Sequence, residues 1–276
     1  MNLTNDNVIH VKKDGIEYLQ FRKLLEYKDI INHAYSLGTD LNFRIAQPNK
    51  DPLPKDEFES NCKDYEKLCN NMGENYINVI LCNQNHTKNV QVVDRKINSN
   101  KPDFNLSEND YIDGLVTNKS DLILATTNAD CILLLFFDPV KRVIANVHSG
   151  WKGTLQRISV EAVRKMKEQF NCKPEDIICC ICPSIRKCHF EVDKDVKDLF
   201  EKEFKEVSNF IEYNKQNQKW HIDTVLINKE ILKNEGLKEG NIIDSGLCSV
   251  CNSEIIHSFR VEKEGYGLNT ALISLK

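Results

Sequence analysis

The sequence predicts an α+β protein, a single layered α/β sandwich domain. Three observations carry that expectation. Apolar runs of strand length crowd the middle of the chain, at residues 122–125, 131–137, 142–147 and 177–182. Helix-period stripes fall between and after them, without the strict alternation of a doubly wound sheet. No period of roughly 20 to 50 residues recurs, which argues against a solenoid or propeller.

The elements follow in chain order. Residues 1–30 are charged and weakly patterned, and are expected to form an N-terminal extension ahead of a domain spanning residues 31–276; a short helix is expected at residues 18–27. Residues 42–58, with Pro48, Pro52 and Pro54, read as a surface loop. Tyr65, Leu68 and Cys69 suit a helix over residues 61–71 that stops before Gly73, and a strand is expected at 76–82. Residues 131–137 are apolar at every position, so that strand should be buried on both faces. The turn sequence Asp138-Pro139-Val140-Lys141 then makes a hairpin with residues 142–147. Leu155, Ile158, Ala162, Val163, Met166 and Phe170 share one helical stripe, with Thr154 as its N-cap. A buried strand at 177–182 ends at Pro183, helices are expected at 193–205 and 223–235, and a last strand ends at Leu275.

Composition excludes several classes of function. The 37 Lys+Arg against 41 Asp+Glu give a formal net charge of -4, with no basic block suited to a phosphate backbone, so nucleic acid is not an expected partner. The start of the chain has no apolar signal region, and its longest apolar run is too short to span a bilayer. The 11 cysteines are odd in number and irregular in spacing, and Cys179, Cys180 and Cys182 lie inside one apolar run. A secreted disulfide framework is therefore not expected; the reading is a soluble protein of a reducing compartment, the cytoplasm.

Three short segments place metal-binding side chains at strand ends: His86 after the 76–82 strand, Cys131 before the most apolar strand, and His148 at the close of 142–147. One thiolate and two imidazoles suit zinc and leave a fourth position for water. The alternatives stand beside this: Cys131 as a small core hydrophobe, His86 as a surface histidine. Gly150 and Gly153 let the backbone approach a ligand closely, and the helix opening near Leu155 points free N–H groups at the same place, so the loop suits an anion or polar small molecule; the alternative is an ordinary strand-to-helix turn. Cys248 and Cys251 form a C-x-x-C stretch with no matching second pair, which favours a structural role.

Several of these segments resemble a known family. Asn128-Ala129-Asp130-Cys131 followed by an apolar strand, then Val147-His148-Ser149-Gly150-Trp151-Lys152-Gly153-Thr154, Cys182-Pro183-Ser184-Ile185, and Cys248-Ser249-Val250-Cys251 with His257-Ser258-Phe259-Arg260 are similar to the YfiH, or laccase-domain, family, and the last stretch to its animal members above all. Members were once described as multicopper polyphenol oxidoreductases and are now regarded as purine nucleoside phosphorylases. The resemblance implies the YfiH-like fold, likened to the catalytic domain of a bacterial cytotoxic deamidase. It also implies one zinc ion held by His86, Cys131 and His148, and phosphorolysis of inosine, guanosine or adenosine, with adenosine deaminase and methylthioadenosine phosphorylase activity beside it. Arg260 is the candidate for phosphate, aided by the backbone near Gly150 and by Lys152. Two family arginines are missing, where this chain has Gly38 and Leu268; Arg44 or Lys88 could supply the charge. Two other functions fit the same residues: a cysteine hydrolase or deamidase using Cys131 and His148, or a scaffold without turnover. Copper is not expected as the cofactor, because 7 histidines are too few for a four-copper oxidase.

Overall fold

A computed structural model describes residues 1–46, 52–94, 101–104, 111–204 and 209–276. The chain opens with strands Val8–Lys13 (β1) and Ile16–Phe21 (β2), joined at Asp14-Gly15, both left-handed at φ 51° and 77°. That is the dihedral pair a two-residue hairpin turn requires. The helix expected at 18–27 is thus corrected: only Arg22–Leu25 (α1) is helical, because Tyr18 and Leu19 are drawn into the ladder by the Asp-Gly turn ahead of them.

There follow Ile31–Leu37 (β3), the helix Lys55–Met72 (α2), Val79–Leu81 (β4), Val90–Val92 (β5), Gly114–Thr117 (β6), Ile123–Asn128 (β7), Ile132–Asp138 (β8) and Val143–Ser149 (β9). Then come Trp151–Leu155 (α3), Ile158–Phe170 (α4), Ile178–Ile181 (β10), Glu191–Val192 (β11), Lys194–Glu203 (α5), Ile211–Asn214 (β12), Lys219–Ile222 (β13), Thr224–Asn234 (α6), Ile242–Asp244 (β14), Phe259–Glu262 (α7) and Asn269–Leu275 (β15). Helix α2 closes at Gly73 in the left-handed region, as the sequence suggested, but starts earlier, at Lys55. Pro48 of the expected loop and Lys205 at the end of an expected helix lie outside the described residues.

Two six-stranded sheets form the sandwich, in orders β1-β2-β3-β15-β7-β4 and β14-β10-β8-β9-β6-β5. Their facing sides interdigitate: Leu19, Tyr35, Leu124 and Ile273 of the first meet Leu133, Leu135, Phe137 and Cys180 of the second. The outer face of the first sheet packs on α2 through Tyr65 and Leu68; that of the second packs on α4 and α6 through Ala162, Met166 and Leu232. Covered on both faces, β8 is buried at every position, the outcome its uninterrupted apolarity predicts. A small sheet, β11-β13-β12, packs with α5 around Phe200 and Ile222.

The start of the helix after β9 also differs from expectation. Thr154 does not cap; it sits inside α3, which begins at Trp151, and Arg157 at φ 58° separates α3 from α4. The Thr154 hydroxyl instead meets Ser149 Oγ at 3.1 Å and accepts from Asn228 Nδ2 at 3.0 Å, tying the loop to α6.

Candidate metal centre and its flanking cavities

The link from β7 to β8 crosses from one sheet to the other, and Asn128 fixes its shape. Its Nδ2 donates to the carbonyls of Cys131 (2.5 Å) and Pro183 (3.1 Å), while its Oδ1 accepts from Tyr35 Oη (3.1 Å). Asp130 stands in the left-handed region at φ 84°, held by Ser249 Oγ and by the Arg260 N–H, which donate to its carboxylate at 2.6 and 2.7 Å. The turn delivers Cys131 to the mouth of the β8–β9 hairpin, where Leu133 pairs with His148. The loop after β4 brings His86 to the same place, with φ 60°.

One ligand atom from each of His86, Cys131 and His148 lies within 4.8 Å of the others. Cys131 Sγ is 3.6 Å from His86 Nε2, and the two imidazole rings meet edge to face at 4.9 Å. Gly150 is packed against this group: a Cβ there would fall 2.4 Å from His86 Cδ2 and 3.2 Å from Cys131 Sγ. Its lack of a side chain is what leaves room for this group, and it also lines one of the flanking cavities, at the start of the short helix α3.

Sequence reasoning missed Asp113. Fully buried just before β6, its carboxylate accepts from the backbone N–H groups of Asn85, His86 and Thr87, from the Thr87 hydroxyl at 2.7 Å, and from His148 Nδ1 at 2.8 Å. It thereby holds the His86 loop and turns His148 Nε2 toward Cys131, the arrangement by which a carboxylate fixes the tautomer of a metal-binding histidine. The sequence signal available was weak: a lone carboxylate in Asp113-Gly114 at the start of an apolar strand.

The electrostatics favour a thiolate. Burial raises the Cys131 pKa, but His148 and His86 outweigh it and bring the thiol below its ordinary value. Burial lowers that of His148, and here the Cys131 and Asp113 charges reverse the effect. Burial likewise works against the Asp113 charge, yet His148 and Thr87 hold the carboxyl below the usual range. A tetrahedral zinc ion with Zn–S about 2.3 Å and Zn–N about 2.0 Å spaces its sulfur and nitrogen ligands by about 3.5 Å. The observed 3.6 Å and the donor set of one thiolate and two imidazoles fit such an ion.

The group stands between two cavities, of about 460 and 400 Å³, and His86, Ala129, Cys131 and Phe259 line both. Each is of the size that takes a small organic ligand. Arg260 lines the first, where its guanidinium donates to the carbonyls of His189 (3.1 Å) and Glu191 (3.4 Å); among the described residues it makes no ion pair. Arg44, 8% exposed, lines the second; it lies 4.3 Å over the Tyr266 ring and donates to the Tyr266 carbonyl at 2.6 Å. Leu268, one of the two positions lacking a family arginine, is in the same wall, and the Phe43 N–H donates to its carbonyl at 3.1 Å, so Arg44 sits beside the missing charge. Lys152 is exposed, lies 5.5 Å from the ring of its neighbour Trp151, and is not among the residues lining either cavity. Lys88 is exposed, and the other substituted position, Gly38, is a left-handed turn at φ 98°.

Comparison with known proteins agrees with this architecture. A family described as multi-copper polyphenol oxidoreductase laccase matches residues 46–276. Purine nucleoside phosphorylase YlmD of Bacillus subtilis is 32% identical over 59% of this chain and 59% of its own length. Human purine nucleoside phosphorylase LACC1 is 26% identical over 90% of the chain and 56% of its own length. The chain thus spans a little under three fifths of these two relatives. Adenosine deaminase RL5, from an unknown prokaryotic organism, is 28% identical over 70% of the chain and 73% of its own length. The crystal structure of Bacillus licheniformis YfiH superposes with a TM-score of 0.80 at 20% identity, covering 94% of this chain and 96% of that one, which establishes the shared fold. With its YfiH-like sandwich and a family match running from residue 46 to residue 276, the chain belongs to the multi-copper polyphenol oxidoreductase laccase family.

Proposed function

We propose that this protein is a purine nucleoside phosphorylase with accompanying adenosine deaminase activity, dependent on one zinc ion held by His86, Cys131 and His148. The observation that carries the reading is the convergence of these three side chains, braced by Asp113, at the junction of two ligand-sized cavities. The names of the relatives support it. A zinc ion bound there would supply Lewis acidity and would lower the pKa of water toward neutrality.

The chain's own residues divide the remaining work. Phosphorolysis requires phosphate held against the ribose while negative charge develops on the departing base. Among the described residues, Arg260 and Arg44 are the cations that line the cavities, one on each side of the cysteine-histidine group. Phe259, 55% exposed and common to both cavities, offers an aromatic face on which a purine can stack. Asp113 keeps the proton of His148 on Nδ1, leaving Nε2 free to act as a ligand. Methylthioadenosine belongs to the same substrate class and is included in the proposal. The 11 cysteines, all free, fit work in a reducing compartment such as the cytoplasm. Nucleosides and phosphate are the expected partners.

Purified protein incubated with inosine or adenosine, with and without phosphate, decides the matter. Phosphate-dependent release of hypoxanthine or adenine, and inosine from adenosine, all lost in Cys131→Ala, are expected; product formation equal to that variant would overturn the reading. The lowered Cys131 pKa favours one rival, a cysteine hydrolase or deamidase with Cys131 as nucleophile and His148 as base. Metal-free protein whose Cys131 alkylates rapidly as isolated would select that rival, whereas protection lifted only by a chelator selects the ligand role.

A further inference from the structure

A second cluster lies outside the function proposed above. Cys248 and Cys251 have no matching second pair nearby in the sequence, and the fold supplies one from 60 residues upstream as Cys188 and His189. Topology explains the meeting. Strands β10 and β14 are parallel neighbours, with Ile181 opposite Asp244, so the loops leaving them start side by side. The pairing continues past the strands: Ser184 bridges to Cys248, and the Ser249 N–H donates to Ser184 O at 3.0 Å. Each loop then carries its ligands to one spot.

The separations there are those of a coordination shell. Cys188 Sγ lies 3.6 Å from Cys248 Sγ and 3.9 Å from Cys251 Sγ. His189 Nδ1 lies 3.1, 3.6 and 3.5 Å from the sulfurs of Cys188, Cys248 and Cys251. Four ligands around a tetrahedral zinc ion are about 3.5–3.8 Å apart. A disulfide requires two sulfurs at about 2.05 Å, not three at similar distances around an imidazole. Apolar packing does not explain the group either, because Cys188 and Cys251 are exposed.

We propose that Cys188, His189, Cys248 and Cys251 form a second, structural site for one zinc ion, closed by four protein ligands. On binding, the three thiols release their protons and the His189 imidazole contributes the lone pair of Nδ1. The ion ties the loop after β10 to the loop after β14. That bond bears on the first cavity, since Arg260 donates to the carbonyls of His189 and Glu191, and Glu191 lines the same wall.

The test uses the full chain carrying Cys131→Ala, so that its outcome does not depend on the first cluster or on catalysis. Elemental analysis of protein purified from zinc-containing medium should give stoichiometric zinc. Replacement by Co2+ should give the visible bands of a tetrahedral ion with intense thiolate-to-cobalt charge transfer. Adding Cys188→Ser and Cys251→Ser should abolish both signals, while Cys188→His should retain the ion with weaker charge transfer. A Cys131→Ala protein that takes up neither zinc nor cobalt, uptake that survives Cys188→Ser with Cys251→Ser, or a disulfide among the three cysteines in the purified protein would each overturn the proposal.

Discussion

Among the described residues, two cysteine-histidine clusters have surroundings that differ as much as their sets of side chains. His86, Cys131 and His148 offer three ligands, border two cavities, and are oriented by a buried carboxylate, Asp113, that bonds one ligand and three backbone N–H groups of the loop bearing another. Cys188, His189, Cys248 and Cys251 offer four ligands on two surface loops held together by backbone pairing. Three ligands with an open side suit catalysis, and four leave no position for substrate. On the proposals made above, the same residue types would serve different ends according to how many converge and what they face.

The largest expected effect separates the clusters outright. Cys131→Ala should lower phosphorolysis by roughly a thousandfold, in line with several kcal/mol of lost charge stabilisation, while leaving the second cluster's metal in place; loss of both metals together would dissolve the distinction. Asp113→Asn removes the brace without removing a ligand. It should weaken metal affinity and activity at the first cluster by about ten- to hundredfold, measured by competition with a chelator, and an affinity unchanged from the parent would deny Asp113 its positioning role.

Acid stability needs a control that neither cluster provides, and His33 supplies it. Burial lowers its pKa from 6.5 to about 3, and its Nε2 accepts from the Phe21 N–H at 2.7 Å. Below pH 6.5 the unfolded chain takes up the proton that the folded chain refuses. Stability is therefore intact above that pH and falls by up to about 1.4 kcal/mol per pH unit as pH drops toward 3. Urea midpoints of metal-free protein against pH should show this slope, flattened in His33→Gln; identical slopes would assign the acid sensitivity elsewhere. The smallest effect concerns the cavities. Arg260→Ala should raise the KM for phosphate several-fold, of the order of one charge-assisted contact, and an unchanged KM beside a raised one in Arg44→Ala would move phosphate to the second cavity.

Much of the scaffold was legible in the sequence because burial on both faces leaves a plain mark. The uninterrupted apolar run of β8, the Asp138-Pro139 turn and the stripe through Ala162 and Met166 each read correctly. The opening hairpin did not, since Tyr18 and Leu19 sit among charges and only Asp14-Gly15 betrays the turn. His86, Cys131 and His148, which the structure brings together, stand out in the sequence as residue types at strand ends, but Asp113 leaves only a weak local trace: its partners are 26 to 35 residues away, and a carboxylate before a strand looks the same whether solvated or buried. The pairing of Cys188-His189 with Cys248 and Cys251 was hidden for a like reason, because it depends on β10 and β14 being parallel neighbours.

Asp130 joins the two regions. Its carboxylate takes bonds from Ser249, which lies between Cys248 and Cys251, and from the backbone of Arg260, while its peptide leads directly into Cys131. In terms of drift among relatives, positions 130 and 249 should therefore change together: a chain that loses the hydroxyl at 249 leaves a left-handed, 8%-exposed carboxylate short of a partner one residue from Cys131. Loops that look independent along the chain would then carry a shared evolutionary constraint, set by one side chain.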